Sequence, residues 1–371
     1  MRAMAREMAE RARPGAVQTG IVDTDIHNLM ASGKVLRSYL PERWQRHYDL
    51  VGARGPHGYM YGSTKYPKVS AAISRVDSWP PTGGMPGSDL AYMREQLLDA
   101  APVEFGVLNT LEHVAHELNV EWAAAMARAI NDWQMAEWLG QDDRLRASIV
   151  VAQQDAELAV EEIERVGRHP GFVQVMLLAR SSEPLGRRRY WKIYEAAERL
   201  GLVIGMHASN AGAVPSTPSG WPTYYLEDHA VISAASQSQI ASLVLEGVFE
   251  RFPGLKFVCI EGGFAWLAPL IWRLDKHWKR LREEVPHLQR KPSEYILDQV
   301  WVTTQPIEEP ADPTHLLQAI EHIGRDDRVL FATDYPHWDA DDPQRALPDG
   351  MPPELRRKIL AGNAKRLYGL D

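Results

Sequence analysis

The sequence predicts an α/β protein built as a (β/α)8 barrel. Three observations carry that prediction. Eight short apolar segments recur along the chain, helical patterns fill most of the intervals, and polar residues gather where the apolar segments finish.

The first segment, Gly20–Asn28 (GIVDTDIHN), alternates Asp23, Asp25 and His27 with Val22, Thr24 and Ile26. As a strand it puts two carboxylates and an imidazole on one face. Charges on a buried face are costly unless paired or bound to metal. The next segments are Ala101–Asn109, Arg146–Gln154, Gly171–Ala179 and Leu200–Ala208. Gly254–Gly263, Gln299–Gln305 and Arg328–His337 complete the set. All are short, and several are rich in Val and Ile, as strands are. Helices are predicted over Val120–Gly140, Asp155–Gly171, Arg189–Gly201 and Gln239–Gly254, each closing at glycine. Pro352–Leu370 opens with proline and ends the chain amphipathically. The rival architecture is an open doubly wound sheet, but no Gly-x-Gly-x-x-Gly follows any strand.

Two stretches exceed a minimal barrel. One runs from about 32 to 98, with GARGPHGYMYGSTKYP and WPPTGGMPG, and reads as a long loop or small subdomain after strand one. The other, Ala208–His229, follows strand five. Both leave the C-terminal ends of strands, where a barrel keeps its chemistry, and are placed to form a lid and substrate walls.

Composition bounds the partners. Of 371 residues, 45% are hydrophobic, enough for a large core. Asp and Glu (49) outnumber Lys and Arg (41), giving a net charge of -8 and no support for a nucleic-acid surface. The basic run Gly186–Lys192 is read as solvating a helix start. The single cysteine, Cys259, excludes an intrachain disulfide and a cysteine-rich zinc site, and reads as a small buried hydrophobe. Residues 1–19 carry Arg, Glu7 and Glu10 and no apolar run of signal-peptide length, so they read as a short leader. No apolar run is long enough to span a membrane. A cytoplasmic location is expected, with no membrane partner.

The polar strand ends are Asp25 and His27, then Asn109, Gln153 and Gln154, His207, Glu261, Gln305 and Asp334. In a barrel these converge on one mouth. Imidazole and carboxylate suit zinc, manganese or iron. Asp25 and His27 leave one strand face together, His207 is the third candidate ligand, and Asp334 can bind the ion, accept a proton from its water, or both. The plainer alternatives are a hydrogen-bonded strand-end histidine, Asp334 as a helix cap, and Asp23 holding a loop.

With these residues in view, the chain resembles the amidohydrolase superfamily, in the amidohydrolase-related branch that includes aminocarboxymuconate-semialdehyde-decarboxylase-like proteins. The resemblance covers about Gly20 to Leu370 and rests on VDTDIHN, QQDAELAVEEIERV, GLVIGMHAS, GVFERFPGLKFVCIEGGFAWL and VLFATDYPH. It implies a distorted (β/α)8 (TIM) barrel, with residues 20–371 forming a single domain. It also implies one divalent metal, zinc first and manganese second, with no organic cofactor. The family's acidic-x-His motif falls on Asp25 and His27, its strand-five histidine on His207 and its strand-eight aspartate on Asp334. Strand six departs from the pattern. Glu261 stands where many members have histidine, and Phe264 where they have glutamate. An ionised carboxylate cannot donate a hydrogen bond as an imidazole can. Glu261 is therefore an acid or base, an anchor for an amine or arginine, or structural.

The implied chemistry has three versions. The leading one is a metal-dependent hydrolase that opens an amide, lactam, lactone or related bond of a small, aromatic-compatible molecule with metal-activated water. Asp334, Glu261 and His207 are its catalytic candidates. The second is a non-oxidative decarboxylase of an aromatic or unsaturated carboxylic acid. The third is a small-molecule binder without catalysis. Substrate contacts are expected from Trp221, Tyr224, Tyr225, His229, Trp266 and Asn109. His337 is placed just outside the metal ligands, and His113 and His116 are read as solvated. Relatives often pair, so a homodimer or higher oligomer is expected, with the Trp-rich helix Trp266–Leu281 packed on the core or on a second subunit.

Overall fold

The computed structural model describes residues 20–51, 73–112, 114–115, 117–208 and 214–370. Eight parallel strands stand in chain order: β1 (Ile21–Ile26), β2 (Val103–Leu108), β3 (Leu145–Val150), β4 (Phe172–Leu178), β5 (Val203–His207), β6 (Phe257–Ile260), β7 (Val300–Thr303) and β8 (Val329–Leu330). All six residues of β1, all five of β5 and all four of β6 are buried, which explains near-continuous apolar runs in place of clean alternation. Cys259 lies buried in β6, as expected of a small hydrophobe.

The helices follow the predicted intervals because caps and glycines bound them. The Asn119 side chain accepts from Trp122 N at the start of Val120–Gln134, and Asp155 accepts from Glu157 N and Leu158 N at the start of Ala156–Val166. Trp191–Leu200 ends at Gly201, whose φ of 72° favours glycine. The helix before β6 starts at Ser233, earlier than the apolar pattern indicated, and Gly247 (φ 84°) separates it from Val248–Arg251. Gly33–Tyr39, Glu42–Val51 and Thr314–Ile323 are helices that the sequence reading did not isolate. The first two belong to the stretch read as loop or subdomain. The described part of that stretch meets the chain just past β1 at Gly87, where φ is 80° and a Cβ would lie 2.5 Å from the His27 carbonyl oxygen. The leader (1–19), GARGPHGYMYGSTKYP, His113 and His116 lie outside the described residues.

Predicted strand eight, Arg328–His337, keeps only two residues of regular ladder. Its continuation instead runs along β1 and closes the barrel. Thr24 N donates to Phe331 O (3.0 Å), Asp334 N to Asp25 O (3.0 Å) and His27 N to Tyr335 O (2.7 Å). Asp23 supports this seam. Its carboxylate accepts from Thr333 N (3.0 Å) and Thr333 Oγ1 (2.6 Å), so it is spent on the β8 run and not on the mouth. Burial raises its pKa to about 7, with the Thr333 bonds acting in the opposite sense. No helix among the described residues is long and apolar enough to cross a membrane.

Removing the Thr333 hydroxyl leaves one Asp23 oxygen buried without its donor. Thr333→Val should lower unfolding stability by about 1–3 kcal/mol, read as a shifted denaturant midpoint at constant slope. A change below ~0.5 kcal/mol means the seam does not depend on this bond.

Candidate metal centre

At the end of β1, two residues of spacing bring Asp25 and His27 to the same side. His27 Nδ1 lies 2.6 Å from Asn109 O. A carbonyl only accepts, so Nδ1 carries hydrogen and Nε2 turns to the mouth. Asn109 Nδ2 donates to Asp25 Oδ1 (2.9 Å), while its Oδ1 accepts from Ser148 Oγ (2.5 Å) and Gln174 Nε2 (2.9 Å). Asn109 was expected to touch substrate. It is fully buried and instead orients both β1 side chains from behind.

His207 from β5 and Glu261 past β6 complete the cluster. His207 Nε2 stands 3.1 Å from Glu261 Oε2 and 3.7 Å from Asp25 Oδ1, and His27 Nε2 stands 3.8 Å from Asp25 Oδ1. Asp25, His27, His207 and Glu261 each offer a ligand atom, all within 4.8 Å of one another. A second group overlaps the first through His27. Asp334 Oδ1 lies 2.7 Å from His27 Nε2 and 2.8 Å from His337 Nδ1.

Glu261 and Asp334 hold left-handed backbone, with φ of 56° and 63°. Non-glycine residues there cost of order 1–3 kcal/mol each. Both kinks sit just past a strand and turn a carboxylate into the mouth. Thr303 Oγ1 secures one by accepting from Glu261 N at 3.1 Å.

The electrostatics are those of crowded charge in a dry place. Burial raises Asp25 to about 6, with Asp334 adding to the effect and His27 opposing it. Burial, then the neighbouring Asp334 and Asp25, push Glu261 well above the carboxylate range. Burial disfavours the His27 imidazolium, yet Asp25 and Asp334 outweigh it and lift its pKa to about 10. Asp334 goes the other way. Burial opposes its ionisation, but His337 and His27 hold it well below the usual range. Asp25 Oδ2 and Asp334 Oδ2 are buried with no hydrogen-bond partner among the described residues. Three carboxylates, two inward imidazoles and two orphan oxygens fit a divalent cation, which offsets the charge and takes the lone pairs.

Outside this group, the described part of the segment after β5 is held by two ion pairs. A buried pair, Arg180 Nη2–Asp228 Oδ1 at 2.9 Å, pins its helix Tyr225–Ala230 to the end of β4. His229 Nε2 meets Asp339 Oδ2 at 2.8 Å, tying the same helix to the loop after β8. Tyr225 stacks on His229 (5.4 Å, 24°), and Trp338 stands edge-on to Tyr225 at 6.4 Å. Trp338 and Asp339 escaped the sequence reading, although the run YPHWD directly follows the strand-eight aspartate. Trp221 and Tyr224 are more exposed, at 36% and 68%. Trp266 directs its indole N–H to Gly262 O (2.8 Å) and Gly263 O (2.9 Å), bracing the Glu261 turn. Gln153 and Gln154 also serve the scaffold: Gln153 Oε1 accepts from Leu178 N, and Gln154 Nε2 donates to Val114 O and Glu117 O. A cavity of about 610 Å³ lined by Arg146, His169, Leu202 and Tyr368 opens at the opposite end of the barrel and includes none of the mouth residues.

Metal binding must displace protons from this cluster, because a ligand imidazole is neutral at the coordinating nitrogen. The His27 pKa of about 10 in the metal-free protein keeps that site protonated through neutral pH, so affinity should rise as pH rises from 6 to 9. Calorimetric titration with Mn²⁺ in buffers of different ionisation enthalpy should show proton release. Heats independent of the buffer would remove His27 from the ligand set.

Comparison with known proteins agrees with this geometry. A family profile described as amidohydrolase matches residues 22–370. The gamma-resorcylate decarboxylase of Polaromonas sp. is 27% identical over 318 residues, covering 78% of this chain and 93% of that protein. The 2-amino-3-carboxymuconate-6-semialdehyde decarboxylase of Dictyostelium discoideum is 24% identical, with 74% and 73% covered. Among solved structures, 5-carboxyvanillate decarboxylase from Novosphingobium aromaticivorans, complexed with manganese and 4-hydroxy-3-methoxy-5-nitrobenzoic acid, superposes with a TM-score of 0.70 at 19% identity, covering 96% and 98% of the two chains. The chain belongs to the amidohydrolase superfamily, in the amidohydrolase-related branch that includes decarboxylase-like members.

Proposed function

We propose that this protein is a metal-dependent, non-oxidative decarboxylase of an aromatic carboxylic acid. The observation that carries the reading is the buried group Asp25, His27, His207 and Glu261, with Asp334 set against both His27 and His337. The relatives named above are decarboxylases, two of them of aromatic acids, and this favours carbon–carbon cleavage over the hydrolysis that headed the sequence expectations.

Asp25, His27, His207 and Glu261 are the residues proposed to hold the ion. Manganese suits them better than the zinc first expected, because half the set is carboxylate oxygen and the solved relative carries manganese. When bound, the ion supplies a Lewis acid that fixes the substrate carboxylate and screens the mouth's negative charge.

The reaction breaks the bond between ring and carboxylate, leaves the electron pair on the ring carbon and releases CO2. That carbon then takes a proton. Asp334, ionised at rest, is proposed to receive the proton through His337 and pass it to the ring carbon, since its carboxyl is buried at the mouth and aimed by two imidazoles. An ionised carboxylate only accepts, so His337 Nδ1 carries the hydrogen in the His337–Asp334 contact. The His337 side chain is 13% exposed, which gives Asp334 a route for proton resupply from outside. Tyr225 and Trp338 offer faces for an aromatic ring.

The Mn²⁺-loaded protein, given a panel of hydroxylated benzoates and aromatic amides and lactones, should release CO2 from an acid and lose that activity on chelation. Amide or lactone opening without CO2 would overturn the proposal. Asp334→Asn should lower kcat by about 10²–10⁴-fold with metal content retained. Glu261→Gln should lower metal content instead, and Asp334→Asn losing the metal as well would reassign Asp334 to the ligand set.

A further inference from the structure

Gln305 lies two residues past β7 and is fully buried, yet its polar ends are treated unequally. Nε2 donates to Asp339 Oδ2 at 3.1 Å. Oε1 is buried and has no partner among the described residues. An amide can be turned about its last bond, so the assignment needs a chemical reason. Asp339 supplies it, because a carboxylate acceptor facing Gln305 requires the NH2 end. His229 Nε2, on the same Asp339 oxygen at 2.8 Å, holds that carboxylate in place. The carbonyl end of Gln305 is thereby fixed away from Asp339 as an acceptor in want of a donor. A buried amide oxygen left so is costly, which makes it a feature to explain.

Its position ties it to the chemistry. Gln305 O accepts from Gly263 N (3.3 Å), two residues beyond the proposed ligand Glu261, and Thr303 on the same strand end accepts from Glu261 N. On its other side Asp339 leads to His229, Tyr225 and Trp338, the aromatic wall. Gln305 is thus bonded on one side to the turn that follows Glu261 and on the other to the carboxylate that holds His229 of the aromatic wall.

We infer that Gln305 is a specificity-determining residue whose Oε1 accepts a hydrogen bond from a donor group, hydroxyl or amine, on the ring of the substrate. The inference rests on the decarboxylase reading and deepens it. The preferred substrates are aromatic acids that carry a ring N–H or O–H, with Asp339 and His229 acting as positioning residues that keep the Gln305 amide from turning. A methyl ether of the same acid keeps ring and charge but has no hydrogen to give, so it leaves Oε1 unmatched.

The test uses the Mn²⁺-loaded full chain and equilibrium binding of the three monohydroxybenzoates, their methyl ethers and benzoate. In the unaltered protein at least one hydroxybenzoate should bind about tenfold tighter, equivalent to ~1.4 kcal/mol, than both its methyl ether and benzoate. In Gln305→Met that ratio should fall to within about twofold. Equal binding of hydroxy and methoxy partners by the unaltered protein overturns the inference, whether or not the variant folds. So does a tenfold preference that survives in a folded Gln305→Met. Release of CO2 from the same acids is scored separately. Donor preference without CO2 points to failure of the decarboxylase reading alone, and CO2 release without donor preference to failure of this inference alone.

Discussion

Charge crowding at the mouth is the constraint on which the rest of this structure depends. Asp25, Glu261 and Asp334 share a buried space with His27 and His207. In a low-dielectric site, three carboxylates raise one another's cost of ionisation and force a proton onto His27. The opposed shifts of Glu261, driven up, and Asp334, held down, are two outcomes of one balance: Asp334 has two imidazoles on its oxygen, whereas burial and the charges of Asp334 and Asp25 dominate at Glu261. A dication relieves all of these costs together, which is why the arrangement reads as a metal centre and not as an ion-pair network.

The scaffold is organised to hold that crowding still. Asn109 fixes Asp25 and His27 with one side-chain amide and one backbone carbonyl, and Ser148 and Gln174 fix Asn109 in turn. This polar layer inside the barrel is fully bonded along the path to the site, so it adds rigidity without an unsatisfied group. The β1–β8 seam does comparable work from the other side. The regular ladder stops at Leu330, and the kinked run beyond it places Asp334 opposite His27. A longer regular β8 would have kept Asp334 in extended backbone and changed its direction.

Glu261 is where this chain departs most from the pattern its family resemblance implies. An imidazole there would add a neutral or positive group, whereas the carboxylate adds negative charge beside His207. The consequence is a harder, more oxygen-rich donor set. It also takes away the hydrogen-bond donor an imidazole would bring to strand six, so in the proposed reaction proton handling rests on Asp334 and His337. In the same proposal, substrate recognition rests on the outer groups: the Tyr225 and Trp338 faces, and Gln305 braced by Asp339.

Much of this was legible in the sequence. Apolar segments bounded by capping residues and glycines specified the strands and most helices, because burial on both faces and helix termination are local demands on residue type. The alternation in IVDTDIHN placed Asp25 and His27 together, since spacing along one strand needs no knowledge of the rest of the chain. Other features depended on partners distant in the chain. Asp23 looks like Asp25 in sequence, and only Thr333 across the seam separates their roles. Asn109 looked like a substrate contact because it ends a strand, and only the positions of Asp25, Ser148 and Gln174 show it committed elsewhere. The left-handed turns at Glu261 and Asp334, and the direction of the Gln305 amide, come from hydrogen bonds between elements. The sequence by itself determined that Asp25, His27, His207, Glu261 and Asp334 stand at strand ends and so reach the mouth. The tertiary structure alone decided which of them face one another, because that depends on barrel closure and on bonds between residues as much as 310 positions apart.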